Sequence, residues 1–252
     1  LTRLPMRAVL RLLWATAHAV HGWLVIVFVF PRLSAEQREL RVQIWATGLL
    51  RCLGVRLLLQ GTPPRGGPML LVANHISFLD ILVMHAARHC RFVAKADVRR
   101  WPMIGTLASG GGTLYIERES RRDAMRLVHQ MADRLREGDV LAVFPEGTTS
   151  DGRDLLPFHA NLIQAAISAD APVQPVALRF IDGRTGELSF APCYIGDDTL
   201  LGSIWRTLNA RDLVAVVLFG DAQTAQGRDR RAWAAALREE VARLRDQSNL
   251  RA

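Results

Sequence analysis

The chain has 252 residues, half of them hydrophobic and 22% charged, so a disordered or collagen-like protein is excluded and one large domain or two small ones can form. Its formal net charge of +8 favours an anionic partner: a phospholipid surface, a nucleic acid, a phosphate-bearing substrate or an acidic carrier protein. Arginine carries nearly all of that charge, with Lys95 the only lysine, which fits a biased coding composition better than a single binding function.

From Leu13 to Phe30 the chain runs 18 residues without an acidic or strongly basic side chain. A helix of that length is about 27 Å, close to a bilayer's hydrocarbon thickness. The run is longer than a signal peptide's apolar region and lacks a small-residue cleavage pattern. Arginines flank it on both sides (Arg3, Arg7 and Arg11; Arg32, Arg38 and Arg41), so charge asymmetry assigns no orientation, and a helix dipping into one leaflet is also allowed. Pro31 ends the run. Ser34 and Gln37 form a capping-box pattern, and Leu40, Ile44, Leu49, Leu50 and Leu53 follow at helical spacing with Arg38, Arg41 and Arg51 between them. That pattern predicts an amphipathic basic helix, at a membrane interface or packed on a globular domain.

Beyond Leu53 short apolar runs alternate with helical patterns. Strands are expected at Val55–Leu59, Met69–Ala73, Arg91–Ala94, Thr113–Ile116, Val140–Phe144, Val173–Phe180 and Leu213–Phe219. Helices are expected from Ser77 to His89, from a Ser120 cap through Leu135, from Asn161 to Ala169 and from Asp229 onward. The alternation indicates an α/β sandwich over residues 53–252, with membrane-anchoring helices in residues 1–52. The cysteines, Cys52, Cys90 and Cys193, are odd in number and widely spaced, giving no disulfide framework and no metal-ligand pairing. His85 and His89 share a helix face, but Ala86 stands where a zinc-protease motif needs Glu, so they read as structural.

Four constellations carry chemistry. His75 sits where a buried-type strand gives way to a helix, a common place for catalytic groups in open α/β folds. Asp80 follows about one turn into that helix, from where its carboxylate can reach back to fix the imidazole tautomer. Ser77 can cap the helix start. On this segment alone, a capped helix beside a surface histidine is as good a reading. Phe144-Pro145-Glu146-Gly147-Thr148-Thr149-Ser150 is a polar turn directly after a strand, in which Gly147 lets backbone N–H groups approach a ligand. Gly112-Thr113-Leu114-Tyr115-Ile116-Glu117-Arg118 delivers an arginine at a strand end, suited to a phosphate or to a rim ion pair. Ala171-Pro172-Val173-Gln174-Pro175-Val176 is a proline-bracketed strand entry.

In order and spacing these blocks resemble the bacterial 1-acylglycerol-3-phosphate acyltransferases and the wider glycerolipid acyltransferases, over roughly residues 53–220. Asn74, His75, Ser77 and Asp80 match the first block; Gly112, Tyr115, Ile116 and Arg118 the second; Phe144 to Ser150 the third in full; Pro172, Pro175 and Val176 the looser fourth. Two stretches depart from the family pattern, Phe158-His159-Ala160-Asn161 and Lys95-Ala96-Asp97-Val98. The resemblance implies an α/β fold with a mixed sheet flanked by helices, and acyl transfer from acyl-CoA or acyl carrier protein to a lysolipid hydroxyl. His75 is then the general base and Asp80 its orienter. Arg118, Glu146, Gly147 and Thr148, with Asn74, Ser77, Gly112 and Ser150, are then substrate-binding. It implies no metal, no redox cofactor and no nucleic-acid partner, and a site on the cytoplasmic face of a bacterial inner membrane. 1-Acylglycerol-3-phosphate is the expected acceptor. A lyso-ornithine lipid or another lysophospholipid is the alternative, and a non-catalytic membrane lipid-binding protein is the rival from another class.

Overall fold

A computed structural model of the protein describes residues 5–117 and 121–247. Its first helix, α1 (Met6–Phe28), starts seven residues before the apolar run read from the sequence. The reason is local: Arg7 and Arg11 lie inside the helix and donate to backbone carbonyls elsewhere in the fold. Pro31 then sits in a single 3₁₀ turn. Helix α2 (Ala35–Leu53) opens on the expected capping box, with the Ser34 hydroxyl accepting from the Gln37 amide and the Gln37 side chain accepting from the Ser34 amide. It closes on Gly54, whose φ of 77° is natural only for glycine.

α1 buries a narrow stripe of small residues spaced by seven, Ala8, Ala15 and Gly22. Seven residues are close to two helical turns, so the stripe stays on one face and lets α2 approach closely. Trp45 of α2 fills the space beside Gly22, where a β-carbon would stand 2.1 Å from the indole nitrogen. Trp45 Nε1 donates to the His18 carbonyl at 3.1 Å, and the His18 ring bonds the Trp45 carbonyl at 2.9 Å.

The sheet contains β1 (Val55–Gln60), β2 (Met69–Ala73), β3 (Arg91–Lys95), β4 (Leu114–Ile116), β5 (Val140–Val143), β6 (Val173–Asp182) and β7 (Leu213–Phe219), in the order β1-β7-β6-β2-β5-β3-β4. Every neighbouring pair is parallel except β6 and β7, so the sheet is mixed, as expected from the family resemblance. Helices α3 (Leu79–Ala87), α4 (Ile104–Gly110), α5 (Arg121–Arg136), α6 (Gln164–Ala169), α7 (Leu200–Asn209) and α8 (Arg230–Gln247) complete the described chain. The expected Ser120 cap of α5 lies outside the described residues. α4 and α7 were not expected. α4 is a seven-residue helix with a glycine in its first turn and another at its end, so propensity conceals it. α7 did carry a signal: the Thr199 hydroxyl caps it by accepting from the Gly202 amide.

Side-chain alternation along the strands builds two cores. Leu71, Ala73, Ala142, Val176, Leu178 and Val217 face α2, α3 and α7. Leu70, Val72, Leu141, Val143 and Val173 face α5, α6 and α8, where Leu135 and Trp233 are fully buried. Each buried Val or Leu there contributes about 1.5–3 kcal/mol by leaving water. The final helix is therefore a core helix on one face and solvated on the other.

Because β2, β3, β4 and β5 are parallel, their carboxyl ends share one edge of the sheet. The first and third motif blocks emerge together there.

Candidate active site

His75 follows β2 by two residues, and Asp80 lies in the first turn of α3. The helix begins at Leu79, two residues later than expected, because the segment from Asn74 to Phe78 turns sharply around the Asp80 carboxylate. Asp80 Oδ2 bonds His75 Nδ1 at 2.8 Å and accepts from the backbone amides of Ile76 at 2.6 Å and Ser77 at 2.9 Å. Three contacts thus converge on one carboxylate oxygen and fix its position. The Asp80 side chain is fully buried, whereas that of His75 is 21% exposed. The His75 ring also stacks on Phe144, 4.1 Å between centroids and 7° from parallel.

The third block grips the same loop from the β5 side. Glu146 is buried, with Oε1 accepting from the His75 amide at 2.7 Å and Oε2 from the Leu156 amide at 2.9 Å. Burial pushes its carboxyl above the usual range, and the two backbone hydrogen bonds work against that rise. The Ser150 amide donates to the His75 carbonyl at 2.9 Å. Asn74 joins β2 to β6 with a paired contact: its Nδ2 donates to the Leu178 carbonyl and its Oδ1 accepts from the Leu178 amide, at 3.0 and 2.7 Å. Ser77 does not cap α3 from the N-cap position, which Phe78 occupies. Its hydroxyl accepts from the Leu79 amide and donates to the Pro192 carbonyl at 2.5 Å.

Of the residues singled out by sequence, His75, Ser77, Asp80, Glu146 and Ser150 thus form one bonded cluster, with Asn74 beside it tied to β6. Gly147 and Thr148 are exposed beside it, Gly147 at a φ of 74°. The structure does not bring Gly112 to His75. Gly112 precedes β4, whereas the site lies past the strands' carboxyl ends, and the four residues from Gly112 to Ile116 span roughly 13 Å. Arg118 lies outside the described residues. His159, in one departing stretch, packs on Gly147: a β-carbon there would meet its ring at 3.0 Å. Lys95, in the other, ends β3 at the same sheet edge as the site.

The buried pair His85 and His89 is structural in geometry. The rings stack at 5.3 Å, His85 meets Phe92 edge-on, and His89 bonds the Gly111 carbonyl at 3.2 Å. Among the described residues no group of three or more His, Cys, Asp and Glu is arranged to hold a metal ion.

A model of the Acyltransferase family matches residues 57–179, which contain all four blocks. The lyso-ornithine lipid O-acyltransferase of Pseudomonas aeruginosa is 37% identical over 193 residues, 77% of this chain and 73% of that protein. The chain belongs to the acyltransferase family. The 1-acyl-sn-glycerol-3-phosphate acyltransferase of Neisseria meningitidis serogroup B is equally similar, 37% identical over 185 residues, covering 73% of this chain and 72% of that one. The crystal structure of the 1-acyl-sn-glycerophosphate acyltransferase from Thermotoga maritima shares the fold, with a TM-score of 0.70 over 98% of this chain and 99% of that one at 18% identity.

Sequence reasoning missed three contributors to the site of this acyltransferase: Pro192, Tyr194 and Ser203. The Tyr194 amide donates to the Ile76 carbonyl at 3.3 Å, and Ser203 Oγ donates to the Pro192 carbonyl at 2.9 Å. No motif spacing announces them, since they act from a segment more than 100 residues beyond His75.

Proposed function

We propose that this acyltransferase moves a fatty acyl group from acyl-CoA or acyl carrier protein to the free hydroxyl of a lysolipid. The observation that carries the reading is the 2.8 Å contact between His75 Nδ1 and the buried Asp80 carboxylate. That contact keeps the Nδ1 proton in place and leaves Nε2 as the base. Nε2 takes the acceptor hydroxyl proton as the oxygen attacks the thioester carbonyl. The tetrahedral intermediate then collapses, the C–S bond breaks, and the imidazolium returns the proton to the departing thiolate. The acyl group passes directly to the acceptor, with no acyl-enzyme. Asn74, Ser77, Glu146 and Ser150 hold the loop in shape, and the exposed Gly147 and Thr148 border the acceptor.

The acceptor we favour is 1-acylglycerol-3-phosphate, with phosphate contact assigned to Arg118 by its place in the second block. The equal similarity to a lyso-ornithine lipid O-acyltransferase supports a second reading, a lyso-ornithine lipid. His159 and Lys95, which border the site from the two departing stretches, are the positions where the two acceptors would be distinguished.

We place the enzyme at the cytoplasmic face of a bacterial inner membrane, with residues 1–52 as its membrane-facing part. α1 is long and apolar enough to cross a bilayer, and Leu10, Leu13, Trp14, Leu24 and Phe28 are exposed along it. It is also fastened along its length: Arg7 and Arg11 to α7, Gly22 against Trp45, and Ile26 against Gly110 of α4. A helix so fastened would drag the acyltransferase domain into the bilayer if it crossed, which favours an in-plane position. A site at that surface spares long acyl chains a passage through water, at about 0.8 kcal/mol per methylene.

The test is turnover of wild type, His75→Ala and Asp80→Asn with labelled acyl-CoA and each lysolipid in mixed vesicles. A loss of about 10²–10⁴-fold in both variants, with folding and vesicle binding retained, is expected. Near-normal turnover by His75→Ala sinks the mechanism. The lysolipid consumed faster by wild type names the acceptor.

A further inference from the structure

The segment from Ala191 to Tyr194, between β6 and α7, crosses the back of the His75 loop like a strap. It meets that loop twice, through the Pro192 carbonyl on the Ser77 hydroxyl and the Tyr194 amide on the Ile76 carbonyl. It meets the third block once, where the Thr149 hydroxyl donates to the Tyr194 carbonyl. Ile76 and Ser77 are the residues whose amides hold Asp80 Oδ2. The strap therefore bonds the same two residues whose amides fix the carboxylate behind His75, through the Ser77 hydroxyl and the Ile76 carbonyl.

The strap has little regular structure of its own, and its conformation is imposed by α7. Ser203, fully buried in that helix, donates to the carbonyls of both Pro192 and Cys193, at 2.9 and 3.1 Å. One turn further, Arg206 donates to the Cys193 carbonyl at 2.6 Å and grips Asp198 with two nitrogens, at 3.1 and 2.9 Å. Asp198 in turn accepts from the Ile195 amide at 3.2 Å. The backbone from Pro192 to Asp198 is thus tied to one face of α7 at both ends. A surface ion pair alone contributes little. A guanidinium that also satisfies a buried carbonyl fixes geometry, because the bidentate fork allows one orientation.

We propose that Ser203 and Arg206 are positioning residues for acyl transfer, acting through the strap on the Ile76–Ser77 amides that hold the Asp80 carboxylate against His75. The inference rests on the His75 mechanism proposed above. Neither residue lies in a motif block. Without Ser203 the Pro192 and Cys193 carbonyls lose a buried donor, the strap relaxes, and the imidazole is no longer held to one orientation. A small misplacement of a general base is costly to rate while leaving substrate binding intact.

The experiment compares kcat and KM for acyl-CoA among wild type, Ser203→Ala, Ser203→Thr, Ser203→Val, Arg206→Gln, Arg206→Lys and His75→Ala, all full-length in the same vesicles. Ser203→Ala, Ser203→Val and Arg206→Gln are expected to lower kcat about tenfold at unchanged KM. Ser203→Thr, which keeps the hydroxyl, restores most of the rate where its near-isostere Ser203→Val does not, and Arg206→Lys restores part. Should the buried Ser203 variants fail to fold, the exposed Arg206 pair decides alone. Variants with lowered thermal midpoints but wild-type kcat overturn the proposal, as does equal loss in Thr and Val or in Lys and Gln. If His75→Ala keeps its turnover, the mechanism fails. If it is inactive while Ser203→Ala and Arg206→Gln keep their rate, the positioning role alone fails.

Discussion

The imidazole of His75 lies face to face on the ring of Phe144, at 4.1 Å and 7° from parallel. Phe144 continues the stack to Phe92 at 5.6 Å, which seats it in the core. The imidazole is therefore held in plane by an aromatic face and in rotation by Asp80. A stacked pair contributes about 0.5–1.5 kcal/mol beyond area burial. Phe144→Leu should reduce kcat about two- to tenfold with little change in KM, and Phe144→Tyr should keep the rate. Steady-state kinetics on the two variants would check this, and equal rates in both would remove the stack from the mechanism.

Glu146 bonds two backbone amides with its two carboxylate oxygens, to His75 and Leu156. Glu146→Ala removes the partner of both part-buried N–H groups, at about 0.5–1.5 kcal/mol each. Glu146→Gln can still accept one. Urea midpoints should fall in the order wild type, Gln, Ala, and activity should follow, because one of the two amides belongs to His75. A destabilised Ala variant with full activity would make the residue purely structural.

Burial holds the His85 imidazole down to about 3, aided by the neighbouring His89, and desolvation holds His89 down to about 4. In the unfolded chain both take up a proton near 6.5. Between those values the unfolded state binds protons that the folded state refuses. The stability these groups contribute is therefore fully present above pH 6.5 and is lost as pH falls toward 4. At pH 5 the loss is about 2 kcal/mol per histidine. Urea denaturation from pH 7.5 to 5 should show it, with a shallower decline in His85→Phe. An unchanged slope in that variant would refute the assignment.

Much of this was readable in the sequence because the information is local in the chain. His75 and Asp80 are five residues apart, the capping box of α2 spans four residues, and the unbroken apolar runs of β2 and β5 declare buried strands. The contacts that were not readable join residues far apart. Ser77 meets Pro192, and Arg11 meets Leu208, only because β6 and β7 are inserted between β1 and β2 in the sheet. Nothing in a periodicity encodes that insertion. The extension of α1 beyond the uncharged run has the same origin. Arg7 and Arg11 resemble a charged flank until the carbonyls at the end of α7 are seen to receive them.

The exposed residues Leu10, Leu13 and Trp14 sit on the face of α1 turned away from α2. Replacing Leu13 and Trp14 by serine removes apolar area without touching the buried Ala8–Ala15–Gly22 stripe. Sedimentation with anionic lipid vesicles should show binding reduced more than tenfold, since two large side chains contribute about 1.5–3 kcal/mol each when buried in lipid. Circular dichroism should be unchanged. Undiminished sedimentation would place the membrane contact elsewhere.

Gly54 and Arg11 occupy one small volume. A β-carbon on residue 54 would stand 2.0 Å from the Arg11 guanidinium, and the backbone there, at φ 77°, already disfavours any other residue. Arg11 in turn satisfies the Leu208 and Ala210 carbonyls, the last of α7. A side chain at 54 would push the guanidinium out of that volume and strip α7 of these two hydrogen bonds, so the glycine that ends α2 also guards the end of α7, a helix that follows it by about 150 residues.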